Sequence, residues 1–246
     1  MKVTGYSERG AVNALFYELA YSGNALHLLE QFLALADFPV HKQLGTGLTD
    51  AHVLIEQSLS DFGDADAILL LDAGEAKAAI FIEAKVKPSQ KVEWTLDREF
   101  TNFEKGCHSD KELSSSNLFT QLYHKSRFID GLRSGGIHAL QSGIGFPECS
   151  KKRVRKIGNN PVVLSAVKAI EPYRENAWYF SLVPDKPSSV RSFFNRFSSI
   201  AWPLDSSGVD ASRWGGLTWE QVAEFCNNFN LKSTNWVLEF NKGQIY

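Results

Sequence analysis

Two apolar runs decide the reading of this chain. The first is Asp64-Ala65-Asp66-Ala67-Ile68-Leu69-Leu70-Leu71. After the turn residues Asp72-Ala73-Gly74-Glu75 comes the second, Ala78-Ala79-Ile80-Phe81-Ile82, which continues into Glu83-Ala84-Lys85-Val86. Continuous apolar runs joined by a short polar turn predict a β-hairpin buried on both faces. In an antiparallel hairpin the start of one strand lies beside the end of the next, so Asp66 and Glu83 are expected to be neighbours. Strand side chains alternate between faces, so Glu83 and Lys85 point the same way. Two carboxylates and an ammonium then converge at one edge of an otherwise apolar sheet.

Such a cluster has a chemical use. Mg²⁺ is a hard cation that takes one or two carboxylates and keeps several waters. Asp66 and Glu83 supply the carboxylates, and the Ala84 carbonyl can add a ligand. A bound cation lowers the pKa of its water and neutralises charge on a phosphodiester oxygen. Lys85 would orient that water and stabilise developing negative charge. An E-x-K triplet alone means little, because Glu75-Ala76-Lys77 is a second copy in the turn and reads as a solvated hairpin tip. The Glu83 copy differs by following an apolar run, where charges are scarce unless paired or bound to metal. The competing structural reading is a strand-end salt bridge between Asp66 and Lys85.

Outward from the hairpin, residues 7–21 read as a helix capped by Ser7, with Val12, Leu15, Phe16 and Leu19 as its apolar stripe. Glu8 lies four residues before Val12 and extends that stripe, where a carboxylate wants a cation. It also suits the first turn of a helix by the dipole. A second helix carries Leu26, Leu29, Phe32, Leu33 and Ala36 and stops before Pro39. Residues 51–59 read as a strand, 92–105 and 117–132 as helices, and 134–159 as a long irregular connection. Gln121 and Lys125 sit one turn apart on the second of these helices, and the plain reading of that pair is a solvated helix edge. Asn160-Pro161 predicts an N-cap followed by proline at the first helical position. Residues 178–183 read as a strand, and the tail as helices near 190–197 and 218–229 ending in a strand at 236–240.

The 246 residues carry a net charge of −2, so any nucleic-acid contact must come from a local patch. Lys151-Lys152-Arg153-Val154-Arg155-Lys156 is one such run; its plain reading is a solvated loop, its functional reading a phosphate-backbone contact. Three cysteines without paired spacing exclude a disulfide framework and fit a reducing cytoplasm. The N-terminal residues lack the apolar run of a signal peptide, and no window reaches the apolar length of a membrane span.

Taken in order, Glu8 on an opening helix, Asp66 at a strand start, Glu83-Ala84-Lys85 at the end of the next strand and Gln121 to Lys125 on a later helix resemble the PD-(D/E)XK nuclease superfamily, the restriction-endonuclease-like fold. The resemblance covers about residues 7–183. It implies an α-β-β-β-α-β core with a metal site at the edge of a central mixed sheet. It implies Asp66 and Glu83 as ligands of Mg²⁺ or Mn²⁺, Lys85 as the catalytic lysine, Glu8 as the helix-borne acid and Gln121 as the glutamine that follows the core motif in several branches. The pattern departs from the superfamily in three places. Ala65 precedes Asp66 in place of proline, Asp64 competes with Asp66 for the ligand role with Asp61 behind it, and Lys125 stands where some branches carry tyrosine. The expectation is a mixed α/β, cytoplasmic, metal-dependent nuclease acting on DNA, with no membrane partner and with homodimerisation left open. Residues 1–185 would form the nuclease core and 186–246 an aromatic-rich extension packed on it. Two other readings stand beside it: a non-catalytic nucleic-acid-binding or protein-interaction module on the same fold, and a glycosidase using Asp66 and Glu83 as acid and base across a sugar-sized cleft.

Overall fold

In chain order the elements are α1 (Glu8–Ala20), α2 (Ala25–Leu33), β1 (Asp50–Ser58), β2 (Asp64–Ala73), β3 (Ala76–Ala84), α3 (Leu96–Cys107), α4 (Leu118–Ser142), β4 (Ile144–Glu148), β5 (Lys151–Arg155), α5 (Pro161–Ile170), β6 (Ala177–Val183), α6 (Pro187–Phe197), β7 (Trp214–Thr218), α7 (Trp219–Asn228) and α8 (Lys232–Phe240). The computed structural model describes residues 7–39, 45–88, 91, 93–109, 112–148, 151–200, 202–204, 209–243 and 245. The protein is mixed α/β. Its central sheet has the order β1-β2-β3-β6-β7, and a separate two-stranded sheet pairs β4 with β5.

The hairpin forms as its sequence requires. β2 and β3 pair antiparallel from Ala73↔Ala76 to Ala67↔Ile82. Gly74, at φ +64, takes the first position of the two-residue loop, the place where a type II′ turn needs a left-handed residue. β1 adds antiparallel to β2, while β6 and β7 add parallel beyond β3. Both faces of the sheet are covered, which explains the unbroken apolar runs. Ile68, Leu70, Ala79 and Phe81 pack under α3, α4, α5 and α6. Ala67, Leu69, Leu71, Ile80 and Ile82 pack under α1, α2, α7 and α8. Among the described residues no helix is long and apolar enough to cross a membrane.

Two expectations need correction. Residues 134–159 are not an irregular connection. α4 runs on to Ser142 through a kink at Gly135 and Gly136, and the chain then turns into the β4–β5 hairpin. Gly136 holds φ 63, ψ −155, a conformation open in practice only to glycine, and burial of Leu140 in the core keeps the second half helical. The basic run is therefore mostly strand β5. Residues 236–240 are helix α8, not strand. Thr234, Val237 and Leu238 are its buried residues, at helical spacing. Its first turn is capped from α1: the Glu18 carboxylate accepts from Ser233 N–H at 3.0 Å and from Thr234 N–H and Oγ1–H at 2.7 Å each. The residues after 185 also supply β7, which pairs parallel with β6 in the central sheet.

Candidate functional site

The site lies where β2 begins and β3 ends. The hairpin ladder ends at Ala67↔Ile82, and Asp66 and Glu83 are the next residue on each strand. Asp66 Oδ2 accepts a hydrogen bond from Ala84 N–H at 2.8 Å. Alternation along β3 sends Ile80, Ile82 and Ala84 toward α1 and sends Phe81 and Glu83 toward α4. Glu83 is 1% exposed, and the Lys125 ammonium from α4 lies 2.8 Å from its Oε1. Lys125 also donates to the Asp64 carbonyl at 2.8 Å and is itself fully buried. The buried ion pair at the site is thus Glu83–Lys125, not the Asp66–Lys85 bridge of the structural alternative.

Lys85 follows β3 directly. Its N–H donates to the Leu182 carbonyl at 2.8 Å, and its own carbonyl accepts from Trp219 Nε1–H at 2.8 Å. With the backbone held from β6 and α7, the Lys85 ammonium reaches α4 and donates to Gln121 Oε1. Glu8 enters from the opposite face of the sheet. Ser7 caps α1 by accepting from Gly10 N–H at 2.8 Å, and this leaves Glu8 in the first turn, where the Val86 backbone amide helps to hold its carboxyl down. Asp66, Glu83, Lys85, Gln121 and Glu8, drawn from four elements and the residues beside them, therefore meet at one sheet edge.

Burial governs their protonation. It pushes the Glu83 carboxyl up to about 7, against the pull of Lys125 and with added repulsion from Asp66. Asp66 is raised by burial, with the Ala84 N–H and the charges of Lys85, Arg9 and Lys125 opposing. Glu8 is raised by burial first, opposed by Lys85 and reinforced by Asp66. A cleft of about 440 Å³ opens beside this cluster, lined among others by Glu8, Arg9, Asp66, Gln121, Lys125 and Arg155; Glu83 and Lys85 are not among its lining residues. Phe62 is the one Phe, Tyr or Trp among its described lining residues, so this cleft lacks the aromatic walls expected of a sugar cleft. A larger groove of about 750 Å³ between α1 and α8, lined by Tyr17, Tyr21 and Phe229, contains no member of the cluster.

Of the competing acids, Asp64 is exposed at the cleft and offers its carbonyl to Lys125. The Asp61 carboxylate is engaged by Lys156 N–H at 3.1 Å. Ala84 presents its N–H to Asp66, and nothing described bears on its carbonyl as a ligand. Among the described residues no group of three or more His, Cys, Asp and Glu gathers as a metal site. The donors nonetheless suit a hard cation that needs only two carboxylates. Neither Glu83 oxygen has a well-aligned hydrogen bond among the described residues; Oε1 is nonetheless in ion-pair contact with Lys125 at 2.8 Å, and Oε2 is left with unspent coordinating capacity.

Two members of the site escape the sequence reading. Lys125 reads as a solvated helix edge but is sealed, and its signal was its one-turn spacing from Gln121 beside the buried Leu122. Arg9, which lines the cleft and lies 3.5 Å from Glu56 through its guanidinium, carried no signal at all. On the cleft's outer side Arg155 donates to the Asp61 carbonyl and Arg153 pairs with Glu112. The side chains of Lys151 and Lys152 lie outside the described residues. No family model, no curated protein and no solved structure matches the chain.

Proposed function

We propose that this protein is a metal-dependent nuclease of the PD-(D/E)XK type, hydrolysing DNA phosphodiester bonds. The observation that carries the reading is the gathering of Asp66 and Lys85 around the buried Glu83 at one end of the hairpin, with Gln121 on Lys85 and a cleft that Asp66, Gln121 and Glu8 line. The order of α1, the β1–β2–β3 meander, α4 and the parallel β6 supports a restriction-endonuclease-like core.

In this reading Asp66 and Glu83 hold Mg²⁺ or Mn²⁺, with Asp66 preferred to Asp64 because it is buried and its charge acts on Glu83. The cation would supply a water of lowered pKa and neutralise charge on the phosphate. The Lys85 ammonium orients the attacking water and stabilises the charge that develops. Gln121 fixes Lys85 through its amide oxygen. Glu8 balances Lys85 from the other side and helps position the water. Arg9 and Arg155 at the cleft meet the DNA backbone.

The Glu83–Lys125 pair favours a second reading, a nucleic-acid-binding module in which these charges only support the fold. One assay separates the two. Single- and double-stranded DNA and RNA are incubated with Mg²⁺ or Mn²⁺, with EDTA and Lys85→Ala as controls. Metal-dependent cutting of DNA that is lost in the variant is the expected result. Binding without cutting, independent of metal and weakened by salt, would assign the module instead.

A further inference from the structure

Lys125 is hard to reconcile with a cation at Glu83 in the arrangement described. Its ammonium lies on Glu83 Oε1 and is also held by the Asp64 carbonyl, both at 2.8 Å. The seat is tight on the remaining side, where a Cβ on Gly63 would come within 3.3 Å of Nζ. Around it Glu8, Asp66 and Glu83 already have Arg9, Lys85 and Lys125 as cations acting on them before any metal arrives. A dication bonded to Glu83 would share a buried carboxylate with an ammonium, in a place where water cannot screen the repulsion. Lys125 has somewhere else to go: it lines the same cleft as Asp66 and Gln121, at the end of a flexible four-carbon stem.

We propose that Lys125 is an exchangeable counter-ion. In the metal-free protein its ammonium neutralises Glu83, and cation binding expels it into the cleft. The inference rests on the metal site proposed above. It makes Lys125 a positioning residue for that site, and it accounts for a fully buried lysine beside a carboxylate that retains an unpartnered oxygen.

The test uses the wild-type protein. Mn²⁺ binding is measured from the loss of the free-ion electron paramagnetic resonance signal. Reductive methylation of lysines is then mapped by mass spectrometry in EDTA and in saturating Mn²⁺. Lys125 should react at least about tenfold faster with Mn²⁺ bound, as a group released from a protected state does. The exposed Lys77 and Lys242 should react equally in both conditions. Lys125→Met, with no ammonium to displace, should bind Mn²⁺ about tenfold more tightly, a coupling of ordinary size. Mn²⁺ bound to the wild type with Lys125 still protected would overturn the exchange while leaving the metal site standing. Mn²⁺ bound by neither protein would overturn both. If Lys125→Met does not fold, the wild-type labelling decides alone.

Discussion

The two ends of the β2–β3 hairpin carry the same residue types and do opposite things with them. At the turn end, Glu75-Ala76-Lys77 places Lys77 on Asp72 in a solvent-exposed pair, and the Tyr173 hydroxyl donates to the same carboxylate at 2.9 Å. The hydrogen bond from Lys77 holds Asp72 below the ordinary carboxylate range. At the other end, Glu83-Ala84-Lys85 lies under α4, the side chains of Glu83 and Lys125 are each 1% exposed, and burial drives the Glu83 carboxyl up to about 7. Lys77 belongs to a surface ion pair, and Glu83 to a desolvated cluster beside a cleft. What separates them is coverage by helices, which no short motif encodes.

The comparison can be broken or sharpened in several ways, and activity should give the largest effect. Asp66→Asn, Glu83→Gln or Lys85→Ala should each cut the rate of DNA cleavage by about 10³-fold or more, while Glu75→Ala and Lys77→Ala should leave it unchanged. Equal losses at both ends would erase the distinction. Stability comes next. Lys125→Ala leaves the Glu83 carboxylate buried and unpaired, and urea denaturation should register a loss of about 3–5 kcal/mol. Adding Glu83→Gln to Lys125→Ala should recover much of that loss, and Lys77→Ala should shift the urea midpoint little, as exposed pairs do.

The pH dependence should run in opposite directions at the two ends. The folded pKa of Glu83 lies above its ordinary value, so the folded protein binds the proton more tightly than the unfolded chain. Its contribution to stability is present at low pH and is lost as pH rises from about 4.5 to about 7. Asp72, held low, contributes stability above its ordinary pKa of 3.8 and loses it as pH falls below that value. The melting temperature of metal-free wild type minus that of Glu83→Gln should therefore fall with rising pH, and a flat difference would contradict the burial account. The smallest effect belongs to the outer side of the cleft. Arg153→Ala and Arg155→Ala should weaken DNA binding at all sequences alike and lower the slope of log affinity against log salt by about one each.

The hairpin and the charges at its strand ends were legible because both are local. Two apolar runs, a glycine where the turn needs one, and charges at the strand ends leave little choice of pairing or register. Glu8 was placed by its position on an apolar stripe and by the resemblance, Gln121 by the resemblance alone. Lys125 was not, since its burial depends on strand ends that reach it only after the sheet has formed. The same holds for α8, whose first turn is capped by Glu18 from the far end of the chain. Local pattern also failed at Gly135-Gly136, where two helix breakers make a kink in α4 and not its end, because Leu140 is drawn back into the core.

The central claim is that the buried end of the hairpin is a cation site. Diffraction from crystals soaked in Mn²⁺, collected at the manganese absorption edge, tests it most directly. The account expects an anomalous peak within coordination distance of both Asp66 and Glu83, with the Lys125 ammonium withdrawn from Glu83. No peak between those carboxylates at saturating Mn²⁺, with Lys125 still seated on Glu83, would contradict it.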